Sequence, residues 1–392
     1  QEDPNTIGSL NKAITIALAN NGNVKVARTN IKVEQQGKKA ALNLGKTDVG
    51  TMYGQYNSFE KDFSYNVGQT IEFPTVYGKQ RSLAKEQIKG AQSSLKVSEN
   101  DLKYSVRQAW YQLSYLLEKQ KLLQYQDTIY KRFYRAATIR YETEATSYLE
   151  KAIAETRSME IQNQLKLLSA DIEILQEQLQ ILLNDSSQLA FEPTELDERQ
   201  VSGIQDFALL MNNPLLELRK QQVAIAAAEK SVQSAKLLPD LSIGYFNQSL
   251  IGTPTTEGKI ANSNDRFQGV QAGVAIPLFF GSYKAKIKAA QLQSEIAQTQ
   301  SEYYYTVLQG QYRQQLQEIT KNQASLEYYR QKALPQANLI IENAQKSFEN
   351  GAIDYVEFFQ NLNEAVAIKF NYLNTLNGYN QAVINLEFLI GQ

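Results

Sequence analysis

The chain of 392 residues contains two copies of one pattern, and this self-similarity restricts its possible folds more than any other feature. The matching runs are Asn20–Gly22 with Asn212–Pro214, Thr47–Val49 with Pro239–Leu241, Phe73–Gly78 with Ile276–Gly281, and Tyr141–Glu150 with Phe348–Glu357. Their offsets are 192, 192, 203 and 207, so the spacing grows only where loops are expected. The sequence therefore predicts an internally duplicated unit, with a first repeat at residues 1–195 and a second at 196–392.

The residue types that are missing exclude several classes of chemistry. Cysteine and histidine are both absent, which rules out thiol nucleophiles, disulfides, Cys/His zinc sites and histidine general bases. Lys plus Arg is 40 and Asp plus Glu is 41, so charge gives no reason to expect a nucleic-acid partner. The acidic residues lie on predicted helix faces, without a Gly-rich phosphate loop or a nucleophile motif nearby. We therefore expect no enzyme, no cofactor and no metal site.

Two stretches in each copy alternate between apolar and polar residues. They are residues 49–59 and 63–74 in the first copy and 241–250 and 267–277 in the second. The apolar positions of the clearest stretch are Phe63, Tyr65, Val67, Ile71 and Phe73. About ten residues of alternating polarity are typical of a transmembrane barrel strand. A half-exposed hairpin on a soluble sheet gives the same pattern, so the strands alone leave both interpretations open.

Long helices follow the strands in each copy. The first copy predicts a helix over residues 79–141, which contains no proline, and a return helix over 147–184. The second copy predicts a long helix over 283–348, which Pro335 should kink or break, and a return helix over 355–390. Apolar residues in the return helices are spaced three and four apart, which predicts antiparallel coiled-coil pairs. A shorter helix opens each copy, beginning after Asn20-Asn21 and Asn212-Asn213.

A short tip joins the long helix to the return helix in each copy. Gly351 is a natural helix terminator in the second tip, and Ser147 and Asp354 are natural N-caps for the two return helices. The sequence therefore predicts a helical hairpin tip at both places.

The number of strands indicates assembly. Four strands of one chain cannot close a barrel, and an open sheet edge cannot stand in lipid. The smallest usual bacterial barrels have about eight strands, so several chains would each contribute four. The fold class expected is mixed α and β, assembled as an oligomeric tube. The same helices would suit a soluble coiled-coil scaffold or a periplasmic adaptor protein, but that alternative leaves the duplicated strands unexplained.

The order helix, strand pair, long helix, tip and return helix, present twice, resembles the TolC-family outer membrane factors over essentially the whole chain. The matching features are the strand ends Phe73-Pro74 and Ile276-Pro277, the glycines Gly78 and Gly281, the paired tips, and the closing runs Leu182–Asn184 and Leu389–Gly391. The resemblance implies a homotrimer that shares a twelve-stranded transmembrane β-barrel, continued by a long periplasmic α-helical coiled-coil barrel. It also implies a location in the outer membrane of a Gram-negative bacterium, in contact with its lipid.

A role and partners follow from the same resemblance. The family docks to an inner-membrane RND-type pump through a periplasmic adaptor (membrane fusion) protein and conducts substrate passively to the exterior. The run Gly54–Ser58 through Gln69–Pro74 resembles members paired with heavy-metal cation pumps. Without Cys or His, this chain would carry such ions without soft ligands, and substrate choice would lie with the pump.

The family's periplasmic gate can be transferred residue by residue. Its acidic constriction corresponds to Glu357, its next acidic position to Gln360, and its first-tip counterpart to Glu150. The family's basic latch residue falls at Ile353, which cannot pair with a carboxylate. One Glu357 per chain would form a ring of like charge that selects cations, whereas the simpler interpretation is a solvated helix charge. The remaining tip residues, expected to dock the adaptor, are Glu144, Ala145, Ser147, Tyr148, Gly351, Ala352, Asp354 and Tyr355.

Overall fold

The computed structural model of the chain describes residues 6–185, 189–193, 196–200 and 206–392. The first half contains β1 (Thr6–Ile7), α1 (Leu10–Asn20), α2 (Gly22–Ala40), β2 (Asp48–Gly54), β3 (Asp62–Ile71), α3 (Pro74–Glu142), α4 (Tyr148–Leu183) and β4 (Ala190–Phe191). The second half contains a 3₁₀ turn (Phe207–Asn212), α5 (Pro214–Ala235), β5 (Asp240–Ser249), β6 (Arg266–Ala275), α6 (Phe280–Tyr328), a π-helical turn (Tyr329–Ala333), α7 (Leu334–Glu349) and α8 (Tyr355–Ile390).

The chain divides into two compact units, and each unit takes segments from both predicted copies. The helical unit comprises residues 1–26, 95–214 and 305–392, and the sheet unit comprises residues 27–94 and 215–304. The order of helices and strands after β1 and α1 recurs in the second half, as the duplication predicts. The predicted boundary between the copies falls at residue 195, which lies outside the described residues.

The sheet unit is built on four antiparallel strands in the order β2-β3-β5-β6. Each half supplies one hairpin, and the two hairpins join through β3 and β5, where Val67 lies opposite Tyr245. The predicted pairing of strands within each copy is therefore present, and the two copies form one continuous sheet.

The strand ends correct the sequence-based bounds. The predicted strand 49–59 is too long, because β2 ends at Gly54, whose φ is 145°, and Gln55 then hydrogen-bonds through its side chain to the carbonyl of Phe59 within the bend. The predicted strand 63–74 also extends too far. The hydroxyl of Tyr77 accepts the N–H of Glu72 at 3.0 Å, and α3 begins at Pro74, where a first-turn proline fits. Strands β5 and β6 lie within two residues of the predicted 241–250 and 267–277.

The helices of the sheet unit pack closely where α3 meets α5. A Cβ placed on Gly90 would come within 2.8 Å of Cδ1 of Ile225, so a larger residue here would displace the end of the Ile225 side chain. Beside it, Glu86 accepts hydrogen bonds from Lys89 and Gln221, both at 2.7 Å. These two hydrogen bonds hold the pKa of Glu86 below its ordinary value of 4.5, although partial burial opposes the shift.

The core of the helical unit follows the spacing predicted for α8. The buried positions of the series are Leu362, Ala365, Leu376, Tyr379, Val383, Leu386 and Ile390. Tyr372, which the same spacing places between Ala365 and Leu376, is only half-buried. The structure confirms the bounds of this helix, which runs from Tyr355 to Ile390 between the N-cap Asp354 and the left-handed Gly391. In α4 the last buried residue is Leu183, whereas Leu182 is half-buried.

Residues 196–200 belong to the connection between the copies, and Arg199 in this segment forms an ion pair and hydrogen bonds with the helices of the helical unit. The Nε of Arg199 lies 2.8 Å from Oε1 of Glu387, and Nη1 of Arg107 lies 3.6 Å from Oε2 of the same carboxylate. Arg199 also donates to the hydroxyl of Tyr111 at 3.0 Å. Burial lowers the pKa of Arg107. For Arg199 the hydrogen bond and charge of Glu387 outweigh burial, so that its pKa is raised.

The remaining helices require three corrections. The long helix of the first copy spans 74–142 rather than 79–141, and its return helix spans 148–183 rather than 147–184 because Ser147 and Asn184 are the caps. The predicted helix 283–348 extends over 280–349, and the π-helical turn at Tyr329–Ala333 interrupts its α-helix just before Pro335, where the sequence predicts a kink or break. Proline cannot donate to the carbonyl four residues earlier. The π-helical turn just before it, in which the N–H of Leu334 bonds to the carbonyl of Tyr329, accommodates the proline. Helix α1 has no counterpart among the predicted elements.

Candidate functional sites: an apolar sheet face and two helix tips

One face of the four-stranded sheet is apolar and exposed. One row of directly opposite residues crosses all four strands and is apolar throughout, since Val67 lies between Val49 and Tyr245, and Tyr245 lies opposite Val270. The exposed fraction is 72% for Val49 and 82% for Val270. Isolated exposed apolar residues are ordinary, but a contiguous apolar patch marks an interaction surface. The alternation predicted from the sequence is therefore present in three dimensions.

The opposite face carries mostly small and polar residues together with the ring of Phe246, and these side chains fit tightly. A Cβ on Gly269 would lie 2.7 Å from the ring of Phe246, its partner across the strands. A Cβ on Gly50 would lie 2.7 Å from Oδ1 of Asn66, which it faces in the same way. Each glycine thus leaves room for the larger side chain opposite it.

The loops at one end of the sheet are joined by a buried carboxylate. Asp62 accepts hydrogen bonds from the hydroxyls of Ser58 at 2.7 Å and Ser249 at 2.9 Å, and from the backbone N–H of Ile251 at 3.0 Å. These contacts connect the β2–β3 loop with the start of the β5–β6 loop. They close the gap between the two hairpins at this end, and the sequence pattern gives no indication of them.

The two tips share one backbone arrangement. The N–H of Ala145 bonds to the carbonyl of Arg140 at 2.7 Å, and the N–H of Ala352 bonds to that of Ser347 at 2.8 Å. Both bonds close a Schellman-type helix end, whose terminal residue is left-handed. In the second tip that residue is Gly351, with φ of 70°, as predicted. In the first tip it is Glu144, with φ of 58°, a conformation that costs a residue with a side chain.

Each return helix begins with the predicted N-cap. Ser147 accepts the N–H of Glu150 through its hydroxyl at 3.3 Å, and Asp354 accepts the N–H of Glu357 through Oδ1 at 2.9 Å. A capping side chain satisfies one of the N–H groups that the first turn leaves without a partner. The caps therefore fix where Glu150 and Glu357 emerge from their helices.

The structure places the predicted gate residues in different surroundings. Glu357 and Gln360 are both exposed on the first turns of α8. Glu150 is half-buried, and its carboxylate accepts a hydrogen bond from the hydroxyl of Thr146. The carbonyl of Glu150 also accepts the hydroxyl of Tyr355 at 3.2 Å, so the two tips touch within the helical unit.

Most of the predicted docking residues are accessible, and one is not. The exposed residues are Glu144, Ala145, Ser147, Tyr148, Gly351, Ala352 and Asp354. Tyr355 is only 4% exposed, because its ring stacks on Phe133 at a centroid distance of 4.5 Å. Its grouping with the surface residues is therefore corrected, and Tyr355 supports the tip from inside.

An aromatic cluster beneath the tips was not predicted. Phe133 of α3 contacts Phe348, Phe358 and Phe359, with ring centroids 4.6 to 6.2 Å apart. Offset and edge-on ring pairs contribute about 0.5–1.5 kcal/mol beyond their burial. The spacing of Tyr355, Phe358 and Phe359 on one helical face could have indicated the cluster. Its partner on α3, more than 200 residues away in sequence, could not be predicted locally.

No helix in the described part of the chain is both long enough and apolar enough to serve as a membrane span. Within the same residues, no three His, Cys, Asp or Glu side chains gather in a group that could hold a metal ion.

Comparison with known proteins gives a family match over part of the chain and a fold match over nearly all of it. The family model described as "Outer membrane efflux protein" matches residues 208–392. No curated protein sequence matches the chain. Among solved structures, the outer-membrane channel OprN superposes with a TM-score of 0.82 at 15% identity, covering 100% of this chain and 90% of that one.

Two further solved structures, of the outer membrane protein VceC and of CusC, resemble the chain to a similar degree. VceC from Vibrio cholerae gives a TM-score of 0.79 at 14% identity, covering 97% of this chain and 96% of the other. CusC gives 0.79 at 13% identity, covering 97% and 91%. At such low identity these matches establish the fold alone.

Proposed function

We propose that this protein is an outer-membrane exit duct for efflux, which conducts substrate passively and catalyses no reaction. The single observation that carries the proposal is the apolar, exposed face of the four-stranded sheet, backed by a face of small and polar residues. An apolar face suits lipid and a small polar face suits a water-filled interior, which is the pattern of outer-membrane barrels. The efflux-protein family match and the fold shared with outer-membrane channels support the same function.

The assembly we propose is a homotrimer. A barrel in lipid cannot have open edges. In the described part of the chain, β2 and β6 each pair on one side only, so neighbouring chains must supply the missing strands. Three chains would give about twelve strands, well above the smallest bacterial barrels. The helical unit would then form a periplasmic conduit that receives substrate from an adaptor protein and an inner-membrane RND-type pump.

The entrance to the duct lies, in this proposal, at the two helix tips. Glu357 and Gln360 are exposed on the first turns of α8, where threefold symmetry would bring the three copies of Glu357 together. A ring of carboxylates in a narrow aperture favours cations. Glu144, Ser147 and Asp354 present exposed polar groups at the tip surface, where the adaptor would dock.

The test is single-channel conductance of the detergent-purified protein in a planar bilayer, with selectivity measured in a salt gradient. Glu357→Gln should lower the preference for cations, and Gln360→Glu should raise it, because each changes the charge of the proposed ring. Glu364→Gln provides the matched control, since Glu364 is also an exposed glutamate of α8 and lies two turns further along.

The outcomes separate the parts of the proposal. Openings with equal selectivity in all four proteins would keep the duct and return Glu357 to an ordinary solvated position. A protein that stays in solution without detergent and never conducts would refute the duct and favour a soluble coiled-coil scaffold. A protein that inserts but stays closed should open when a partner adaptor is added.

The proposed substrate class is heavy-metal cations. It rests on the resemblance of residues 54–58 and 69–74 to members paired with metal pumps. Deletion of the gene should sensitise the source bacterium to copper, zinc or cobalt salts, and re-expression should restore growth. Unchanged metal tolerance alongside sensitivity to organic toxicants would reject the metal substrate and leave the duct in place.

A further inference from the structure

Basic residues are concentrated where the helices of the sheet unit meet the strands. The whole chain is balanced, with 40 basic and 41 acidic residues. Residues 27–46 nevertheless carry five Lys or Arg against one Glu, and residues 74–90 carry four against one. The basic residues are Arg28, Lys32, Lys38, Lys39 and Lys46, followed by Lys79, Arg81, Lys85 and Lys89. A local excess of one sign in a neutral protein indicates a partner of the opposite charge.

Part of this basic region lines a groove of about 800 Å³ between α2 and α3. Lys38, Lys39 and Arg81 supply the charge, and Leu42, Tyr77 and Ile88 supply an apolar wall. Within the described residues, the structure contains no salt bridge to any of the three cations. The groove therefore offers three positive charges beside an apolar surface.

The groove is attached directly to the helix-side end of the sheet. The hydroxyl of Tyr77, in its wall, accepts the N–H of Glu72 just after β3. The carbonyl of Leu44, two residues beyond Leu42, accepts the side-chain N–H of Gln69 at the end of β3. The groove thus lies where the apolar face of the sheet ends, which in the proposed duct is the level of the lipid head groups.

We propose that this groove binds the head group of an anionic phospholipid, with the phosphate on Lys38, Lys39 and Arg81 and the start of an acyl chain along Leu42, Tyr77 and Ile88. Arginine and lysine are the side chains that recognise phosphate, and basic residues at a membrane surface attract anionic lipid. The apolar wall and the position beside the sheet face favour a lipid over a soluble anion. The inference rests on the proposed membrane location.

The second copy lacks this combination of residues. At the offset of 192, Lys38 and Lys39 correspond to Lys230 and Ser231. At the offset of 203, Arg81 and Ile88 correspond to Lys284 and Gln291. Leu42 likewise corresponds to Ser234 at the offset of 192. One cation and two apolar wall residues of the groove are therefore replaced by neutral polar residues. The groove should consequently bind one lipid per chain rather than one per repeat.

The experiment is native mass spectrometry of the detergent-purified full chain with phosphatidylglycerol or with phosphatidylcholine of the same acyl chains. The groove variant combines Lys38→Gln, Lys39→Gln and Arg81→Gln. The control variant combines Arg135→Gln, Lys166→Gln and Lys332→Gln, which removes the same charge from exposed positions of the helical unit. The groove variant should lose affinity for phosphatidylglycerol by on the order of a hundredfold, because each basic residue near an anionic surface contributes about fivefold. The control variant should bind as the parent does.

Three results would overturn the proposal. Equal affinity in the groove and control variants would place the lipid elsewhere. Equal binding of phosphatidylcholine would remove the role of charge. Displacement of the lipid by millimolar inorganic phosphate would make the groove a site for a free anion.

Conductance of the same preparations separates this inference from the proposed function. Normal channel conductance without a preference for phosphatidylglycerol over phosphatidylcholine would refute the lipid site in the groove and leave the duct in place. Selective phosphatidylglycerol binding by a protein that never conducts would refute the duct and keep the groove.

Discussion

The two tips provide a matched pair for measuring backbone strain, because they have the same hydrogen bonds and different residues at the left-handed position. Glu144 has φ of 58° and Gly351 has φ of 70°. A left-handed conformation costs a residue with a side chain roughly 1–2 kcal/mol. Glycine avoids this cost, but its greater conformational freedom in the locally unfolded state offsets about 0.5–1 kcal/mol of the gain. The net effect should be about 1 kcal/mol, in opposite directions for Glu144→Gly and Gly351→Ala.

Surrounding side chains should not obscure this effect. A Cβ placed on Gly351 meets no other heavy atom within 4 Å, so Gly351→Ala adds no steric contact and the backbone contribution stands alone. Glu144 is exposed, so its removal leaves no cavity. Glu144→Gly should therefore stabilise the first tip, and Gly351→Ala should destabilise the second.

Hydrogen exchange followed by mass spectrometry measures these local changes. About 1 kcal/mol corresponds to roughly a fivefold change in the local opening equilibrium. The amide of Ala145 should therefore exchange about fivefold more slowly in Glu144→Gly, and that of Ala352 about fivefold faster in Gly351→Ala. The control is Glu142→Gly, at the last residue of α3, where glycine should speed exchange because it weakens a helix.

One pattern would refute the reasoning. If Glu144→Gly and Glu142→Gly speed exchange at Ala145 equally, the first tip gains nothing from glycine at its left-handed position. The φ of Glu144 would then carry no measurable strain.

Three further predictions concern the interior and the sheet. Glu387→Ala should lower the free energy of unfolding by roughly 1–3 kcal/mol, since it leaves the half-buried Arg107 and Arg199 without their carboxylate; a denaturant midpoint equal to that of the parent would contradict this. Gly269→Val should displace the ring of Phe246 and lower the heat stability of the assembled protein, by about 1–3 kcal/mol per chain, whereas Gly68→Val, which has open space at its Cβ, should be milder. The lowered pKa of Glu86 means that its contribution to stability is complete above pH 4.5 and is lost as the pH falls through the folded pKa; the difference in melting temperature between the parent and Glu86→Gln should therefore shrink in acid, and a constant difference would count against it.

Helix α8 shows which features a sequence specifies well. Asp354 and Gly391 mark its two ends through local hydrogen bonds and a left-handed terminus. The apolar positions between them repeat at the helical spacing. Both signals depend on residues close together in the chain, so the bounds and the buried face could be predicted without knowing the tertiary structure.

The end of strand β2 shows where such a prediction fails. Alternation alone extends this strand to residue 59, because Phe59 keeps the apolar phase. In the structure Phe59 is 97% exposed and lies in the bend that follows Gly54. A strand ends where its partner stops supplying hydrogen bonds, and the partner's register is a long-range property that the strand's own residues do not carry.

In the candidate sites, too, features set by nearby residues could be predicted and features set by distant residues could not. The caps Ser147 and Asp354 were predictable because a cap acts within three residues. The left-handed Glu144 was not, since glutamate is not a turn residue and only its alignment with Gly351 pointed to it. The pair of Arg199 and Glu387 joins residues 188 apart in sequence, so local reasoning could not detect it.

The two edge strands of the sheet, within the described residues, determine the kind of contact that could join copies of the chain in the trimer proposed above. The edges are different strands, β2 of seven residues and β6 of ten, so β6 of one copy would meet β2 of the next in a heterologous, head-to-tail contact. Each copy would therefore use two distinct surfaces, and a substitution that disrupts one would leave the other able to bind.

A proline that disables β6 would accordingly produce a poison subunit, which joins a ring through β2 but cannot complete it. In a cell that makes equal amounts of parent and variant chains, about one trimeric ring in eight would contain parent chains only. The variant should therefore be genetically dominant over the parent.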